Sequence, residues 1–424
     1  MRNLTAFIIS LFLVSNAWAL TPTPAAESKD RVTYINATVH VGNGKVLEGA
    51  QLSFANGIID RVGYFKMPYT GDEIDLKGAH IYPGLILPAT ELGLTEISSV
   101  RATVDFRERG DMNPSVRSLT SYNTDSERIP ATRFSGILLA QTTPAGGLVS
   151  GTSSVVQLDA WNWQDAVVKA DDAIHVNWPT RWRRSFDIGT FGMVLKEDKK
   201  FAEKVEKIKS LFAEAKSADS NTTNLKLKAA QPTFDGSKKV FVYTNDPKAI
   251  VESVDYFMSM GIKPVLVTAQ AAKYTLGYLK KHDIPVLLNR IHALPQRTDG
   301  SIDEAYRLPG LLDNAGLTVG LAYAGSMGAR NLSFTAGTAI AYGLKPERAL
   351  QLMTLNNATI LGIDTQYGSL ETGKSATLFI SSGDILDMRS HDVTEAYIDG
   401  RKIELHGRQQ ELYERFREKL GIAP

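Results

Sequence analysis

The stretch that decides the fold is residues 81–94, IYPGLILPATELGL. It begins as an apolar run interrupted only by Pro83 and Gly84, and it becomes polar at Thr90 and Glu91. This pattern is typical of a strand buried in a parallel sheet, because such a strand is covered on both faces and carries polar groups only where its carboxyl end opens into a site. We therefore predict a buried strand that presents Thr90 and Glu91 at the edge of a functional site.

Strands and helices alternate through the middle of the chain. Apolar strand candidates at residues 240–243, 264–267 and 286–288 are separated by helical patterns, of which residues 248–260 are a clear amphipathic example. This order predicts β-α-β units and an α/β fold with a parallel sheet. The pattern alone leaves two topologies open, a closed barrel and an open doubly wound sheet. In a closed barrel the active site lies at the carboxyl ends of the strands.

The two ends of the chain have a different character. Residues 32–63 and 376–405 alternate apolar and polar side chains, with turn signals at Asn56-Gly57 and Asp399-Gly400. Short antiparallel strands are typical of such segments. We expect the two ends to assemble into one small sheet domain.

The first 19 residues have the pattern of a secretory signal. Arg2 precedes an apolar run over residues 6–14, and Ala17-Trp18-Ala19 offers a cleavage site. The run is too short to span a bilayer. We therefore expect cleavage near Ala19 and a periplasmic or secreted mature protein without a membrane span. The chain has no Cys, so its stability there is expected to come from the core alone.

Composition limits the class of partner. The chain has 424 residues, of which 22% are charged, and its formal net charge is +1. A balanced charge argues against nucleic acid or an anionic membrane surface as the main partner. The length is sufficient for one large core with an accessory layer, or for two domains.

Three motifs resemble the amidohydrolase superfamily. Residues 83–86 (PGLI) fit the start of its first barrel strand, Pro-Gly-hydrophobic-hydrophobic-Asp-x-His-x-His. Residues 354–362 (TLNNATILG) and 368–378 (GSLETGKSATL) are similar to motifs near the end of the family's sequences. The loops from Arg101 onward resemble an exported bacterial subset, the imidazolonepropionase-like amidohydrolases.

The resemblance implies a particular architecture. Residues 81–365 would form a (β/α)8 TIM-type barrel, and residues 29–80 and 366–408 would form a small composite β-sandwich. Residues 409–424 are expected to form a C-terminal helix. Amidohydrolase barrels often dimerise, so the resemblance also implies a homo-oligomer.

The residues that bind metal in the family are replaced in this chain. A working amidohydrolase holds one or two metal ions, through His residues after strands 1, 5 and 6 and an Asp after strand 8, and the metal activates a water. At these positions the chain has Ala89 and Glu91 after strand 1, Tyr243 after strand 5, Thr268 or Gln270 after strand 6, and Tyr323, Ala324 and Gly325 after strand 8.

Histidines elsewhere offer few substitutes. Of the seven histidines, we expect only His175 and His292 to face the barrel mouth. The main expectation is that no metal or other cofactor is bound. The alternative left open is that Glu91 with His175 or His292 holds zinc or another divalent metal at low occupancy.

Each candidate site residue has a functional and a structural interpretation. Glu91 is either a general base whose pKa is raised by burial or the partner of an arginine such as Arg101, Arg133 or Arg290. Tyr243 and Tyr323 either donate hydrogen bonds to a ligand carbonyl or fill the space that a metal site would occupy. Arg290 and His292 either bind a carboxylate or join a structural salt bridge. Further candidates for substrate binding, all placed near the expected mouth, are Thr90, Asn123, Gln141, His175, Asn177 and Thr268.

Three loops are candidates for covering the mouth. Residues 101–136 form a long polar loop that we expect to act as a lid or a subunit contact. Residues 143–154 either form a backbone-amide nest for an anion or are an ordinary flexible loop. Residues 158–179 contain three tryptophans, and we predict a helix-containing lid there.

Two functions are compatible with these observations. The first is a hydrolase of carbon–nitrogen bonds, acting on a small amide or peptide-like ligand through a reduced site around Glu91. The second is a catalytically inactive amidohydrolase scaffold that binds a ligand or a partner.

Overall fold

The computed structural model describes residues 23–65, 73–296, 299–323, 325 and 327–422. The predicted signal segment lies outside these residues. The strands are β1 Val32–His40, β2 Val46–Ala55, β3 Ile58–Gly63, β4 Glu73–Asp75, β5 His80–Pro83, β6 Leu85–Thr90, β7 Ile137–Thr142, β8 Val149–Gln157, β9 Val167–Asn177, β10 Trp182–Asp187, β11 Gly192–Glu197, β12 Lys239–Tyr243, β13 Val265–Thr268, β14 Val286–Leu288, β15 Val319–Leu321, β16 Leu378–Ser381, β17 Val393–Ile398 and β18 Arg401–Ile403. The helices are α1 Arg128–Arg133, α2 Trp163–Ala166, α3 Phe201–Ser217, α4 Leu225–Ala230, α5 Pro247–Ser259, α6 Ala271–Tyr274, α7 Leu276–Lys281, α8 Glu304–Asn314, α9 Leu332–Ala341, α10 Pro346–Met353, α11 Leu355–Leu361 and α12 Arg408–Lys419.

Eight strands form the central sheet, in the order β6-β7-β8-β9-β12-β13-β14-β15. Apolar side chains from strands across this sheet form one buried cluster, and two larger clusters lie between the sheet and the surrounding helices. The α/β class and an eight-stranded, nearly closed sheet are therefore as predicted. The members of the inner cluster include Ile86, Leu139, Val155, Phe241, Val267 and Leu287.

One strand departs from the predicted parallel arrangement. β8 runs antiparallel to both β7 and β9, whereas the other neighbours in the sheet are parallel. Only residues 143–148 connect β7 to β8, and Gly146 and Gly147 take positive φ values of 92° and 67° there. A parallel neighbour needs a crossover of about a dozen residues or more, so this short turn can only reverse the chain. The prediction of an all-parallel sheet is wrong at β8.

The predicted lid at residues 158–179 is also wrong. Its second half, residues 167–177, is β9, a strand of the central sheet, and its only helix is α2. Trp161 precedes α2 and Trp163 is the first residue of that helix, so both tryptophans lie before the strand. Two polar residues of β9, Asp172 and His175, are buried and are described below.

An asparagine joins the first and last strands of the central sheet. β6 and β15 are the two ends of the strand order, and Asn357 of α11 donates from its Nδ2 atom to the backbone oxygens of Ile86 and Leu321, both at 2.8 Å. A Cβ on Gly320 would come within 2.2 Å of the Asn357 side chain. The motif at residues 354–362 therefore has a packing role in this fold.

The two ends of the chain share a second eight-stranded sheet. Its order is β18-β17-β16-β5-β1-β2-β3, with β4 paired to β1, and the antiparallel pair β5 and β16 joins the N-terminal and C-terminal parts. One sheet built from both ends is thus as predicted. The finer description of this sheet as a β-sandwich stays a prediction.

The Pro83-Gly84 pair is the crossing point between the two sheets. β5 ends at Pro83 in the terminal sheet, and β6 begins at Leu85 in the central sheet. A Cβ on Gly84 would lie 2.9 Å from the Thr377 side chain and 3.0 Å from that of Leu138. Only glycine leaves the space that this crossing requires.

The C-terminal helix α12 covers most of the segment predicted as helical, and none of its residues is buried. Within the described residues, no helix combines the length and the apolar character that a membrane span requires.

Candidate functional site

A cavity of about 180 Å³ opens at the carboxyl ends of β6, β9 and β12. One water takes up about 30 Å³ in the liquid, so this space corresponds to about six waters or one small ligand. Residues 143–154 were predicted as an anion nest or a flexible loop, but residues 149–154 belong to β8. Only residues 143–148 form a loop, and this loop contributes part of the wall. The lining residues are Ala89, Glu91, Thr143, Pro144, Ala145, Ser150, Asn177, Tyr243, Asn289 and Gly325.

A strained turn places Glu91 at this cavity. Ala89 has a left-handed backbone with φ of 52°, and its N–H donates to Oε1 of Gln141 at 3.1 Å. Thr90 is buried, its hydroxyl accepts a hydrogen bond from the N–H of Leu92 at 3.2 Å, and its carbonyl accepts one from Thr143 at 2.8 Å. Because these hydrogen bonds hold Thr90, the chain turns at the end of β6 and places Glu91 at the edge of the cavity.

The Glu91 carboxyl is half-buried, and this changes its acidity. Burial raises the pKa of Glu91 above its usual value, and the positive charges of Arg107 and Arg128 only partly oppose the rise. The arginines considered from sequence as its ion-pair partners lie elsewhere: Arg101 donates to the carbonyl of Val104, Arg133 pairs with Asp159, and Arg290 is exposed.

Tyr243 and His175 form a pair beneath the cavity. The Tyr243 hydroxyl and Nδ1 of His175 are 2.9 Å apart, and the His175 side chain has no solvent exposure. Burial lowers the pKa of His175 to about 3, so the imidazole is neutral at physiological pH. Burial also raises the pKa of the Tyr243 phenol, which therefore stays protonated. Within the described residues, Nε2 of His175 has no hydrogen-bond partner.

The barrel interior holds a buried carboxylate that we did not predict. Asp172 accepts hydrogen bonds from Nε2 of Gln141 and from the Ser153 hydroxyl, both at 2.7 Å. Burial raises the pKa of Asp172, and these two donors oppose the rise. Asp171, with φ of 51°, lies where the register between β8 and β9 shifts, and this irregularity turns Asp172 toward Gln141. The sequence signal was the Asp171-Asp172 pair inside an otherwise strand-like segment.

Asn177 and Thr268 are the last residues of β9 and β13, and of the two only Asn177 lines the cavity. Asn177 lines the cavity, and its Nδ2 atom donates to the Gly147 carbonyl and the Ser150 hydroxyl, both at 2.9 Å. Thr268 is buried and donates to Oδ1 of Asn245 at 3.3 Å. That oxygen also accepts two backbone N–H groups from the start of α6, so Thr268 and Asn245 together hold the turn after β13.

Eight predicted site residues do not line the cavity, namely Thr90, Gln141, His175 and Thr268, described above, and four others. β14 ends at Leu288 and the chain then leaves the mouth, so Arg290 is exposed and His292 lies against α9, with its Nε2 2.8 Å from the Thr338 hydroxyl. Asn123 is exposed and donates to Glu96 at 3.3 Å. The fourth is Tyr323, whose ring lies over Gly328.

The side chains at the mouth do not fit a divalent metal. Glu91 offers one carboxylate, Nδ1 of His175 is engaged by Tyr243, and Asp172 already accepts two hydrogen bonds. In the part of the chain that the structure describes, no group of three or more His, Cys, Asp or Glu side chains is placed to hold a metal ion. Protein zinc sites use three or four such ligands, so we derive no chemical step through a metal.

Comparison with known proteins agrees with the fold. Residues 248–403 match the model of the amidohydrolase family. An amidohydrolase from Thermotoga maritima MSB8 has a similar structure, with a TM-score of 0.75 and 20% sequence identity over 88% of this chain and 99% of that chain. A molinate hydrolase (TM-score 0.55, 12% identity, 91% of this chain and 97% of that one) and a prolidase complexed with N-methylphosphonate-L-proline (TM-score 0.53, 14% identity, 88% and 100%) are also similar.

At these identities the structural similarity concerns the fold, and the comparison with curated protein sequences gives no match. The family match includes the strands β14 and β15, which precede the lining residues Asn289 and Gly325, and the motif at residues 368–378. Over residues 248–403 the chain is thus similar to the amidohydrolase family, and over most of its length it shares the fold of a solved amidohydrolase.

Proposed function

We propose that this protein hydrolyses a carbon–nitrogen bond in a small amide or peptide-like ligand, with Glu91 as the general base. The observation that carries the proposal is the half-buried Glu91 carboxyl, whose pKa is raised and which faces a cavity together with the neutral hydrogen-bonding groups of Tyr243 and Asn289. A general base works best when its pKa approaches the operating pH, and a raised carboxyl pKa moves in that direction.

The proposed reaction uses one water. Glu91 accepts a proton from the water as its oxygen bonds to the ligand's carbonyl carbon. Tyr243 and Asn289 donate hydrogen bonds to the carbonyl oxygen, where negative charge develops. Protonated Glu91 then gives its proton to the leaving nitrogen as the carbon–nitrogen bond breaks, and the products are a carboxylic acid and an amine.

His175 acts through Tyr243 in this scheme. With its proton on Nδ1, the neutral imidazole donates to the phenol oxygen and leaves the Tyr243 hydroxyl proton free for the ligand. Because the imidazole is buried and uncharged, it orients the phenol without adding a positive charge to the cavity. His175 is thus a positioning residue.

The size of the cavity limits the substrate class. A space of about 180 Å³ favours short ligands such as N-acyl amino acids or dipeptides over long peptides. The prolidase among the structural neighbours was complexed with a proline-containing ligand, which makes proline dipeptides suitable first probes.

The experiment is a hydrolysis assay with N-acetylproline, glycylproline and a set of N-acetyl amino acids, read out by amine release. We expect turnover by the wild type and a loss of about 100-fold or more in Glu91→Gln, as for other general bases. Glu96→Gln is the matched control, because Glu96 follows five residues later and does not line the cavity. Equal activity in Glu91→Gln and the wild type would refute the role of Glu91.

The second candidate is a binding protein on an inactive scaffold. The observation that favours it is the occupation of the strand-end positions by Ala89 and Tyr243, where the family resemblance would place metal-binding His residues. Calorimetric binding of the same compounds, without amine release at any pH, would support this candidate over hydrolysis.

Three further features remain proposals. We propose that the protein is exported after cleavage near Ala19, which N-terminal sequencing of the mature protein tests. We propose that residues 29–80 and 366–408 form a composite β-sandwich around the barrel of residues 81–365. The long loop at residues 101–136 supports the finer placement among the imidazolonepropionase-like proteins, and its Arg107 next to Glu91 supports a role at the mouth.

A further inference from the structure

The hairpin formed by β10 and β11 leaves a large apolar surface open. Six of its large apolar side chains are between 55% and 81% exposed. Large side chains carry about 200 Å² each, so on the order of 700 Å² of apolar surface faces solvent. Apolar patches on monomeric soluble proteins are usually smaller than this. The six side chains are Trp182, Phe186, Ile188, Phe191, Met193 and Leu195.

Most of these side chains share one face of the hairpin. Phe186 pairs with Met193 across the two strands, and Trp182 and Leu195 fall on the same face because successive residues alternate sides. The tip residue Phe191 continues this face, since its ring meets the Phe186 ring edge-on with centroids 6.3 Å apart. Apolar residues therefore recur on this face from the base of the hairpin to its tip, and the remaining positions of the face are Arg184, opposite Leu195, and Glu197, opposite Trp182.

Polar contacts hold the hairpin in shape without covering this face. Asp187 accepts hydrogen bonds from the N–H groups of Gly189 and Thr190, both at 3.1 Å, and pairs with Lys196 at 3.0 Å. At the base of the hairpin, the Arg181 guanidinium lies over the phenyl ring of Phe201 in α3, 4.6 Å from the centre of that ring. The hairpin is thus an anchored element with a preformed apolar face.

We propose that the apolar face of this hairpin binds the same face of a second copy of the chain, giving a dimer with two-fold symmetry. A standard stable interface buries about 800 Å² on each partner, which is close to the apolar area left open here. A two-fold interface uses the same patch on both subunits, so a single exposed patch is sufficient.

The chemistry of the hairpin is compatible with a second copy as the occupant. Residues 182–197 contain three basic and two acidic residues, so two hairpins approach each other without strong repulsion. A two-stranded ribbon also has unpaired backbone edges that a second ribbon can pair with.

The test is sedimentation equilibrium of the purified chain and of two matched double variants. Met193→Ser with Leu195→Ser removes apolar contacts from the hairpin face. Met388→Ser with Leu225→Ser removes the same residue types, at 70% and 68% exposure, from other surfaces. We expect a wild-type dimer, an increase of at least about tenfold in the dissociation constant for the hairpin variant, and no change for the control.

Disulfide cross-linking adds a direct contact measurement, because the chain has no native Cys. We expect at least one of the variants Phe186→Cys, Met193→Cys and Leu195→Cys to form a cross-linked dimer on oxidation, and Leu225→Cys to stay monomeric.

Three results would overturn the proposal. They are a wild type that sediments as a monomer at every concentration, a hairpin variant that keeps the wild-type dissociation constant, and a monomer that co-sediments with phosphatidylcholine–phosphatidylglycerol vesicles through this face. Circular dichroism of each variant establishes that the substitutions, all at exposed positions, leave the fold intact.

Discussion

Acidification should destabilise this protein through His175. The imidazole is buried without solvent exposure, and burial lowers its pKa from the usual 6.5 to about 3 in the folded state. Below pH 6.5 the unfolded chain therefore binds a proton at this residue that the folded chain does not bind. The stability that depends on the neutral imidazole is complete above pH 6.5 and is lost as the pH falls toward 3.

The size of this effect follows from the shift in pKa. Each pKa unit corresponds to about 1.4 kcal/mol, so a fall to pH 4.5, two units below the unfolded value, should cost about 2.7 kcal/mol. Typical domains have only about 5–15 kcal/mol of stability, so the loss is large enough to measure. Carboxyl groups titrate in the same range, and a comparison with a variant isolates the contribution of His175.

The assay is urea unfolding followed by tryptophan fluorescence at pH 7.5 and pH 4.5. We expect the difference in unfolding free energy between wild type and His175→Gln to change by about 2.7 kcal/mol between the two pH values. Tyr243→Phe is the control, because it removes the hydrogen bond to His175 but leaves the imidazole buried, so the pH-dependent loss should remain. An identical pH dependence in wild type and His175→Gln would refute the assignment of a buried neutral histidine.

Three substitutions test what holds the fold together, each by urea unfolding at pH 7.5. Asn357→Leu should lower the unfolding free energy by about 2–4 kcal/mol, because it leaves two buried backbone carbonyls, one in β6 and one in β15, without a donor. A loss under about 0.5 kcal/mol would show that the junction between these two strands does not depend on the Asn357 amide. Gly84→Ala should cost about 1–3 kcal/mol, since its Cβ would meet side chains at 2.9–3.0 Å, and a neutral effect would show that the crossing between the sheets has room. Asp159→Asn should lower the unfolding free energy by about 3–5 kcal/mol, because it leaves the buried guanidinium of Arg133 and the nearly buried guanidinium of Arg401 without their carboxylate. An unchanged unfolding free energy would contradict a structural role for these two ion pairs.

The sequence predicted the parts of the fold that depend on periodicity and local turns. Residues 81–94 contain the buried strand β6, which ends at Thr90, and Glu91 lies at the cavity, as the change from apolar to polar residues indicated. The sheet built from both ends of the chain followed from their alternating patterns. These features are encoded locally, so a single sequence is sufficient to find them.

The direction of a strand is not encoded in its own residues. β8 has the buried, β-branched character of its parallel neighbours, and only the length of residues 143–148 reveals that it is antiparallel. The β10–β11 hairpin was missed for a related reason: its apolar residues alternate like those of a buried strand, but its face is exposed.

The candidate site was only partly accessible to sequence reasoning. Tyr243 and Asn177 line the cavity, as expected for residues at strand ends, but the pairing of Tyr243 with His175 depends on two strands that are distant in sequence. Asp172 was missed because an alternating pattern does not reveal a shift in register. Arg290 and His292 were placed at the mouth because they follow β14, but only Asn289, directly after that strand, lines the cavity, and His292 contacts Thr338 of α9 instead.

The central claim is that a half-buried Glu91 is the base of a small-amide hydrolase. Its most direct test is the pH dependence of kcat/KM, measured on the best substrate of the N-acyl amino acid and dipeptide set. We expect the wild-type rate to rise through an apparent pKa above the usual 4.5 of a glutamate, and Glu91→Gln to lose both this rise and about 100-fold or more of the rate. A profile that Glu91→Gln leaves unchanged would contradict it.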